Sequence, residues 1–276
     1  MATRVHRTPE ETQSLIQELQ EKAEGGIVEL LGSPDWSAWL KWSAAFWRYS
    51  FTNQILIFSQ LPTATQVAGF HKWIELGRHV RKGETAIRIF APVTVKKSAD
   101  DEGPDERVTR FRAVPVFDIS QTDGKGAPKR PQRGSIAIDN PAIPVDYQHL
   151  WDALTSQGIV VSVGPASDAI GGYYQPPSTI VLSENPDISQ RFRVLLHEAA
   201  HYLADHKAGT DRKDGEVQAE MAAYIAAGAL GYDISAVSFG YVAAWAQDHK
   251  VLKQNASAVI RVAQLLISIF DLSAAN

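Results

Sequence analysis

Leu195-Leu196-His197-Glu198-Ala199-Ala200-His201-Tyr202-Leu203-Ala204-Asp205-His206 is the stretch on which the second half of the chain turns. It contains the pattern H-E-x-x-H. Residues four apart on an α-helix lie about 40° apart around its axis, so both imidazoles reach one ion at metal–nitrogen distances of roughly 2.0–2.1 Å. Glu198 neighbours His197 and is placed to act on a water at that ion rather than on the ion. Val194, Leu195, Leu196, Tyr202 and Leu203 supply the apolar flanks of a buried helix. The expected cofactor is Zn2+. The chain has no cysteine, so any metal is bound by His, Asp or Glu, and disulfide frameworks and thiol nucleophiles are excluded.

A catalytic zinc needs a third protein ligand and an open position. His206 lies nine residues past His197, about 180° around a continued helix, and is read as a C-terminal residue facing the helix dipole. The next helical stretch holds Glu216-Val217-Gln218-Ala219-Glu220, two glutamates again four apart and set among alanines. One can ligate zinc while the other accepts the ring N–H of a ligand histidine. Their order favours Glu216 as the ligand and Glu220 as the orienting group. Such a site activates water, with Glu198 as general base handing the proton to a leaving amine. A peptide bond is the expected target, with TIVLS at 179–183 as an edge strand for an extended peptide. For the oxyanion, Tyr173, Tyr174 and Tyr241 all remain open.

Around this core the chain of 276 residues, 45% hydrophobic and 21% charged, is long enough for two domains and excludes wholesale disorder, collagen-like repeats and a coiled-coil rod. No apolar run approaches a membrane span, and the start MATRVHRTPEETQ turns acidic where a secretory signal turns apolar, so a cytoplasmic location is expected. Prolines, glycines and mixed charges over 122–144 mark a linker between domains at 1–121 and 145–276. In the first domain, helices are expected from Pro9 to the stop at Gly25-Gly26, from about Pro34 through Tyr49, and from Phe51 to before Pro62. Strands are expected around Ala86–Phe90 and over 108–120, separated by a charged loop near Asp100. The second domain reads as a helix, short strands around a proline turn, and then helices almost to its end. The predicted class is α+β, a mixed first domain and a mostly helical second domain with a small sheet.

Charge is divided between the halves. Residues 34–134 hold sixteen Lys and Arg against ten Asp and Glu, whereas 135–276 hold eight against fifteen. A basic domain suits a polyanion. Trp39, Trp42, Phe46 and Tyr49 step along one helix face and read as core. Aromatics beside breaks (Tyr49, Phe51, Phe70, Trp73) lie among Arg48, Lys72, Arg78, Arg81, Lys82 and Arg88, a mixture that suits single-stranded nucleic acid, where bases stack and phosphates pair. Asn53 and Gln54 either reach base edges or cap a helix.

The run RYSFTNQILIFSQLPTATQVAGFHKWIELGRHVRKGETAIRIFAPV, 48–93, resembles the N-terminal domain of plasmid antirestriction proteins of the ArdC type, and VFDISQTDG at 116–124 looks like that domain's end. The resemblance implies single-stranded DNA binding here. The C-terminal half resembles the family's zincin-like metallopeptidase domain, and E-V-Q-A-E is similar to the glutamate-helix motif of gluzincins, which puts Glu216 at the ligand position and Glu220 at the acidic position. It further implies protection of incoming DNA by a protein of mobile elements. The expected function is a single-stranded-DNA-binding protein whose zinc peptidase hydrolyses DNA-associated proteins. The alternatives are a non-catalytic DNA shield with structural zinc and a metal hydrolase acting on another substrate.

Overall fold

The structure, a computed structural model, describes residues 9–31, 36–96, 107–125, 134–135, 140–165, 171–184, 186–206, 212–233 and 249–270. The expected cap at Ser33, the loop near Asp100, most of the linker and the segment containing Tyr241 lie outside these residues. The chain forms two compact units, Met1–Glu29 with Thr52–Ala127, and Leu30–Phe51 with Pro128–Asn276. The tryptophan-rich helix therefore groups with the second unit, not with the other residues that precede the linker.

In the first unit, α1 (Pro9–Leu31) continues through Gly25-Gly26, where the sequence suggests a stop. Gly26 allows close helix contact instead, since a Cβ there would come within 2.8 Å of Ile55 Cγ2 on α3 (Phe51–Gln60). After the two-residue β1 (Val67–Ala68) come the short α4 (Phe70–Glu75) and β2 (Arg78–Val80). The alternation at 87–90 becomes β3 (Ile87–Lys96), an antiparallel ribbon with β4 (Arg107–Asp118) from Ile87↔Val116 out to Lys96↔Arg107. Ile87, Ile89 and Val116 are buried, as period-two patterning requires. With β1 on the far side of β4, β3 is an outer strand, in the order β1-β4-β3.

That outer strand is capped by side chains of α3. Asn53 Nδ2 donates to Phe90 O at 2.8 Å while Phe90 N donates to Asn53 Oδ1 at 2.9 Å. Gln60 does the same to Arg88, at 2.9 and 3.0 Å. Two amides seven residues apart share a helix face, and they meet two strand residues that point their backbone the same way. Asp118, fully buried, accepts from the backbone of Thr65, Gln66 and Ser120 and so joins the end of β4 to the chain leading into β1. Residues Thr122–Gly124, assigned by sequence to the linker, form β5 and pair with β2.

The second unit contains α2 (Trp36–Ser43), a single 3-10 turn Ala44–Phe46, β6 (Gly134–Ser135), α5 (Ala142–Ser156), β7 (Val160–Gly164), β8 (Gly172–Gln175), β9 (Thr179–Ser183), α6 (Ile188–Leu203), α7 (Arg212–Ala229), β10 (Tyr232–Asp233) and α8 (His249–Ile269). Trp39 and Phe46 are core, as the aromatic stripe suggests, although the α-helix has already ended at Ser43. The sheet order is β7-β9-β8, with β9 parallel to β7 and antiparallel to β8. This corrects one expectation: TIVLS is the central strand, hydrogen-bonded on both sides, and cannot receive a peptide. The outer strand packed against α6 is β8. Helix α6 also packs on α5, α7, α8 and β9, which puts the H-E-x-x-H helix at the centre of the unit.

Replacing Asn53 by Ala leaves two backbone groups of β3 without their partner, and the expected cost is about 1–3 kcal/mol in urea unfolding. An unchanged midpoint would show that the clamp contributes nothing.

Candidate metal centre

Helix α6 starts at Asp187, whose Oδ1 accepts from Ser189 N at 2.8 Å and Gln190 N at 3.0 Å, a cap worth about 1 kcal/mol. Phe192, Leu195, Leu196, Ala199 and Ala200 are fully buried. That stripe sets the azimuth of the helix, and His197 and His201 follow from it. Strand β8 comes close because Gly171-Gly172 have no side chains: a Cβ on Gly172 would lie 2.7 Å from Val194 Cγ1.

His197 Nε2 and His201 Nε2 lie 3.1 Å apart. Glu216, from α7, puts Oε2 3.4 Å from His197 Nε2 and Oε1 3.8 Å from His201 Nε2. Tetrahedral ligands at 2.0–2.1 Å from zinc stand about 3.3–3.4 Å from each other, so this spacing is that of a coordination shell. Among the described residues, His197, His201 and Glu216 form the group able to hold a metal ion. Glu220, one turn further along α7, brings Oε2 within 2.8 Å of His197 Nδ1. A carboxylate only accepts, so its charge at this distance favours a proton on Nδ1, although the angle is not that of a hydrogen bond, and the Nε2 lone pair then faces His201 and Glu216. The residues present thus fit a divalent cation. The spacing rules for α6 and α7 bring His197, His201, Glu216 and Glu220 together as the sequence suggests.

The electrostatics agree with that donor set. Burial works against a charge on His197, yet Glu216, Glu220 and Glu198 outweigh it and the imidazole is pushed up to about 10. Hydrogen bonds from His197 and His201 hold the Glu216 carboxyl well below the usual carboxylate range. Glu198 is 6% exposed; burial raises its carboxyl above the ordinary value, with His197, His201 and the Tyr174 backbone N–H pulling the other way. A carboxylate raised by burial beside a metal site is a stronger base than an exposed one and is suited to accept a proton.

His206 does not point away. Asp205 adopts φ 56°, and the amides of Asp205 and His206 bond back to Tyr202 O (2.9 Å) and His201 O (3.2 Å), a Schellman ending. The chain reverses one residue before His206, so the 180° offset of a continuing helix does not apply. Its ring returns to the last turn, Nδ1 lying 2.8 Å from His201 Nδ1. Burial pushes His206 down from the usual imidazole range, with Gln218 opposing. No pattern rule flags His206; the nearest signal is an Asp, one of the few residues that tolerate a left-handed conformation, directly before it.

The residues assigned to DNA are not brought to one place. Arg48 and Tyr49 belong to the second unit, where Arg48 lies 4.9 Å over the Trp47 ring and burial raises the Tyr49 phenol. Asn53, Phe70, Lys72, Trp73, Arg78, Arg81, Lys82 and Arg88 belong to the first. Two corrections concern exposure. Trp73 is 1% exposed and donates Nε1–H to Phe117 O at 2.8 Å, so it is core and offers no stacking face. The Asn53 amide is committed to Phe90 at both ends, and the backbone bonds of Arg88 are those held by Gln60. Arg78 spends its guanidinium on Thr122 and Gly124, bracing β2 against β5. Arg81 is exposed but pairs with Glu84, and Lys72 with Glu75. Phe70 and Lys82 are exposed. The sequence reading missed Phe111, 61% exposed on β4 and opposite Pro92, with exposed Arg112 next to it. An aromatic at an outward position of a strand is the signal that pointed there.

Since a metal-free site holds a proton on His197 up to pH about 10, ion binding at pH 7–8 displaces it. Zinc affinity is therefore expected to rise with pH, about tenfold per unit below pH 10 for this proton, with about one proton released per ion. Titration calorimetry in buffers of different ionisation enthalpy measures the release; none at all would contradict the assignment of His197.

Residues 10–121 match the family described as the N-terminal domain of anti-restriction factor ArdC. The chain is 23% identical to the uncharacterized protein pXO2-81 of Bacillus anthracis, over 93% of its own length but about half (51%) of that relative's. In fold it is similar to the antirestriction protein ArdC of plasmid R388. The metal-free crystal structure aligns with TM-score 0.53 and 19% identity, covering 91% of this chain and 97% of that one. The Mn(II)-bound structure aligns with TM-score 0.55, also at 19%, covering 92% and 98%. With that domain over residues 10–121 and that fold over most of its length, the chain resembles the ArdC antirestriction proteins in both sequence and structure.

Proposed function

We propose that this protein is a metal-dependent peptidase of the antirestriction type that also binds single-stranded DNA and acts on proteins associated with it. The observation that carries the reading is the convergence of His197, His201 and Glu216 beside the buried Glu198. Two imidazoles and one carboxylate suit Zn2+, with Mn2+ the competing ion, since a similar ArdC structure holds Mn(II). A divalent ion held there supplies a Lewis acid for the scissile carbonyl and lowers the pKa of water.

The remaining work falls to side chains of this chain. Glu198 takes the proton of the attacking water and delivers it to the leaving amine; burial raises its carboxyl, which favours holding the proton between the two transfers. Glu220 keeps the ring of His197 in one tautomer. Strand β8, the outer strand beside α6, carries the backbone edge along which an extended peptide would lie, and Tyr174 N–H on it restrains Glu198. The Glu198→Gln variant is expected to keep metal and DNA binding while losing peptide hydrolysis by at least about 100-fold. Hydrolysis that survives the change would remove Glu198 from the reaction.

For DNA, the family match over 10–121 supports the first unit as the binding unit. Within it Phe111 offers the most exposed aromatic face, with Arg112 and Lys82 as exposed cations. Phe111→Ala is expected to lower affinity for a short oligonucleotide about 5- to 150-fold, the loss of one stacked base. Joint replacement of Lys82 and Arg112 by Ala should flatten the salt dependence by about 1.4 in log–log slope, at about 0.7 per phosphate on a single strand. Fluorescence anisotropy across a salt series reads both effects, and salt-independent binding would refute the phosphate contacts.

A further inference from the structure

Beyond the three candidate ligands, a continuous run of side chains leads away from the site through α7 to α8. His201 Nδ1 lies 2.8 Å from His206 Nδ1, and His206 Nε2 lies 3.0 Å from Gln218 Oε1. Gln218 Nε2 donates to Asn255 Oδ1 at 2.5 Å, and Asn255 Nδ2 donates to Asp214 Oδ1 at 2.8 Å. The direction of every bond follows from the far end. The Asp214 carboxylate only accepts, so Asn255 turns its NH2 toward it and its oxygen toward Gln218. Gln218 must then present its own NH2 to Asn255 and its oxygen to His206. Facing an acceptor, His206 Nε2 carries the proton, which leaves Nδ1 of the neutral ring as a bare acceptor. His201 Nδ1 therefore donates, and the lone pair of His201 Nε2 is directed at His197 and Glu216.

We propose that His206, Gln218, Asn255 and Asp214 form a positioning relay that fixes the tautomer and ring orientation of His201, as Glu220 does alone for His197. The inference rests on the metal-site reading above. Several features show a built arrangement. His206 and Asn255 are both buried, at 9% and 3% exposure. The left-handed turn at Asp205 is what returns the His206 ring to α6. Asp214 and Gln218 are four apart on α7, on one face, and Asn255 bridges them from α8. The two histidines thus differ in support: His197 leans directly on a carboxylate, whereas His201 reaches one through three neutral groups.

The test compares zinc affinity, by competition with a chromophoric chelator, in the full chain and in His206→Phe, which keeps ring volume without an acceptor, and His206→Gln, which restores an amide oxygen. Circular dichroism checks folding of each. His206→Phe is expected to lose about 10- to 100-fold in zinc affinity and His206→Gln to recover to within about threefold of wild type. Gln218→Leu, which removes the acceptor toward His206, is expected to fall with His206→Phe. Nitrogen-15 NMR of the zinc-loaded wild type should show His201 protonated at Nδ1 and His206 at Nε2. Wild-type affinity in a folded His206→Phe, or a His206 ring protonated at Nδ1 in place of Nε2, would overturn the relay. A wild-type chain that takes up no divalent ion would sink the metal centre and the relay with it, an outcome distinct from one in which wild type and variant bind alike.

Discussion

With the proton of each ring on Nδ1, two imidazole lone pairs face each other 3.1 Å apart beside a carboxylate, an arrangement that has no donor of its own. Positive charge has to enter, as a proton on His197 or as an ion. The rest of the second unit is arranged to keep that need unmet from within. Buried aliphatic residues of α6 fix where the rings emerge, alanine-rich α7 packs closely enough to deliver Glu216, and the outer nitrogens of both rings already have neighbours. Burial multiplies the effect, because a carboxylate such as Glu198, removed from water, responds strongly to whatever charge is nearby.

Most of this centre was legible in the residue order because helices convert spacing into direction. The pairs His197/His201 and Glu216/Glu220 are each four apart, and nothing interrupts either helix between them. The reading failed where the backbone leaves regular geometry or where tertiary contact decides. His206 follows a left-handed residue, which inverts its direction, and periodicity carries no information about such a turn. Gly25-Gly26 has the composition of a helix end, yet the packing of Ile55 against Gly26 makes it a crossing point. TIVLS is apolar and short, which suits a central strand as well as an outer one, and only the pairing with both β7 and β8 decides.

The first unit shows the same limit for its aromatic residues. Trp73 and Phe70 stand three apart on one short helix; one is sealed in the core with its indole N–H on a strand carbonyl, and the other faces solvent. Composition alone treats them alike. The division of charge between the halves of the chain concerns long-range attraction of an anion and is readable from the sequence, whereas which ring meets a base is a matter of local packing. A family match covers 10–121, and similarity in fold to an antirestriction protein runs over 92% of the chain, so the likeness spans both halves.

The amide pair on α3 has a consequence for how this protein behaves at high concentration. An outward strand normally offers its backbone to any extended chain that drifts by, and stacking of such strands is how fibres begin. At Arg88 and Phe90 both rungs are already occupied by Asn53 and Gln60, in a geometry that imitates a neighbouring strand but belongs to a helix and cannot be propagated. The ribbon is thereby sealed along its length nearest the core, a guard against self-templating that needs neither proline nor a surface charge.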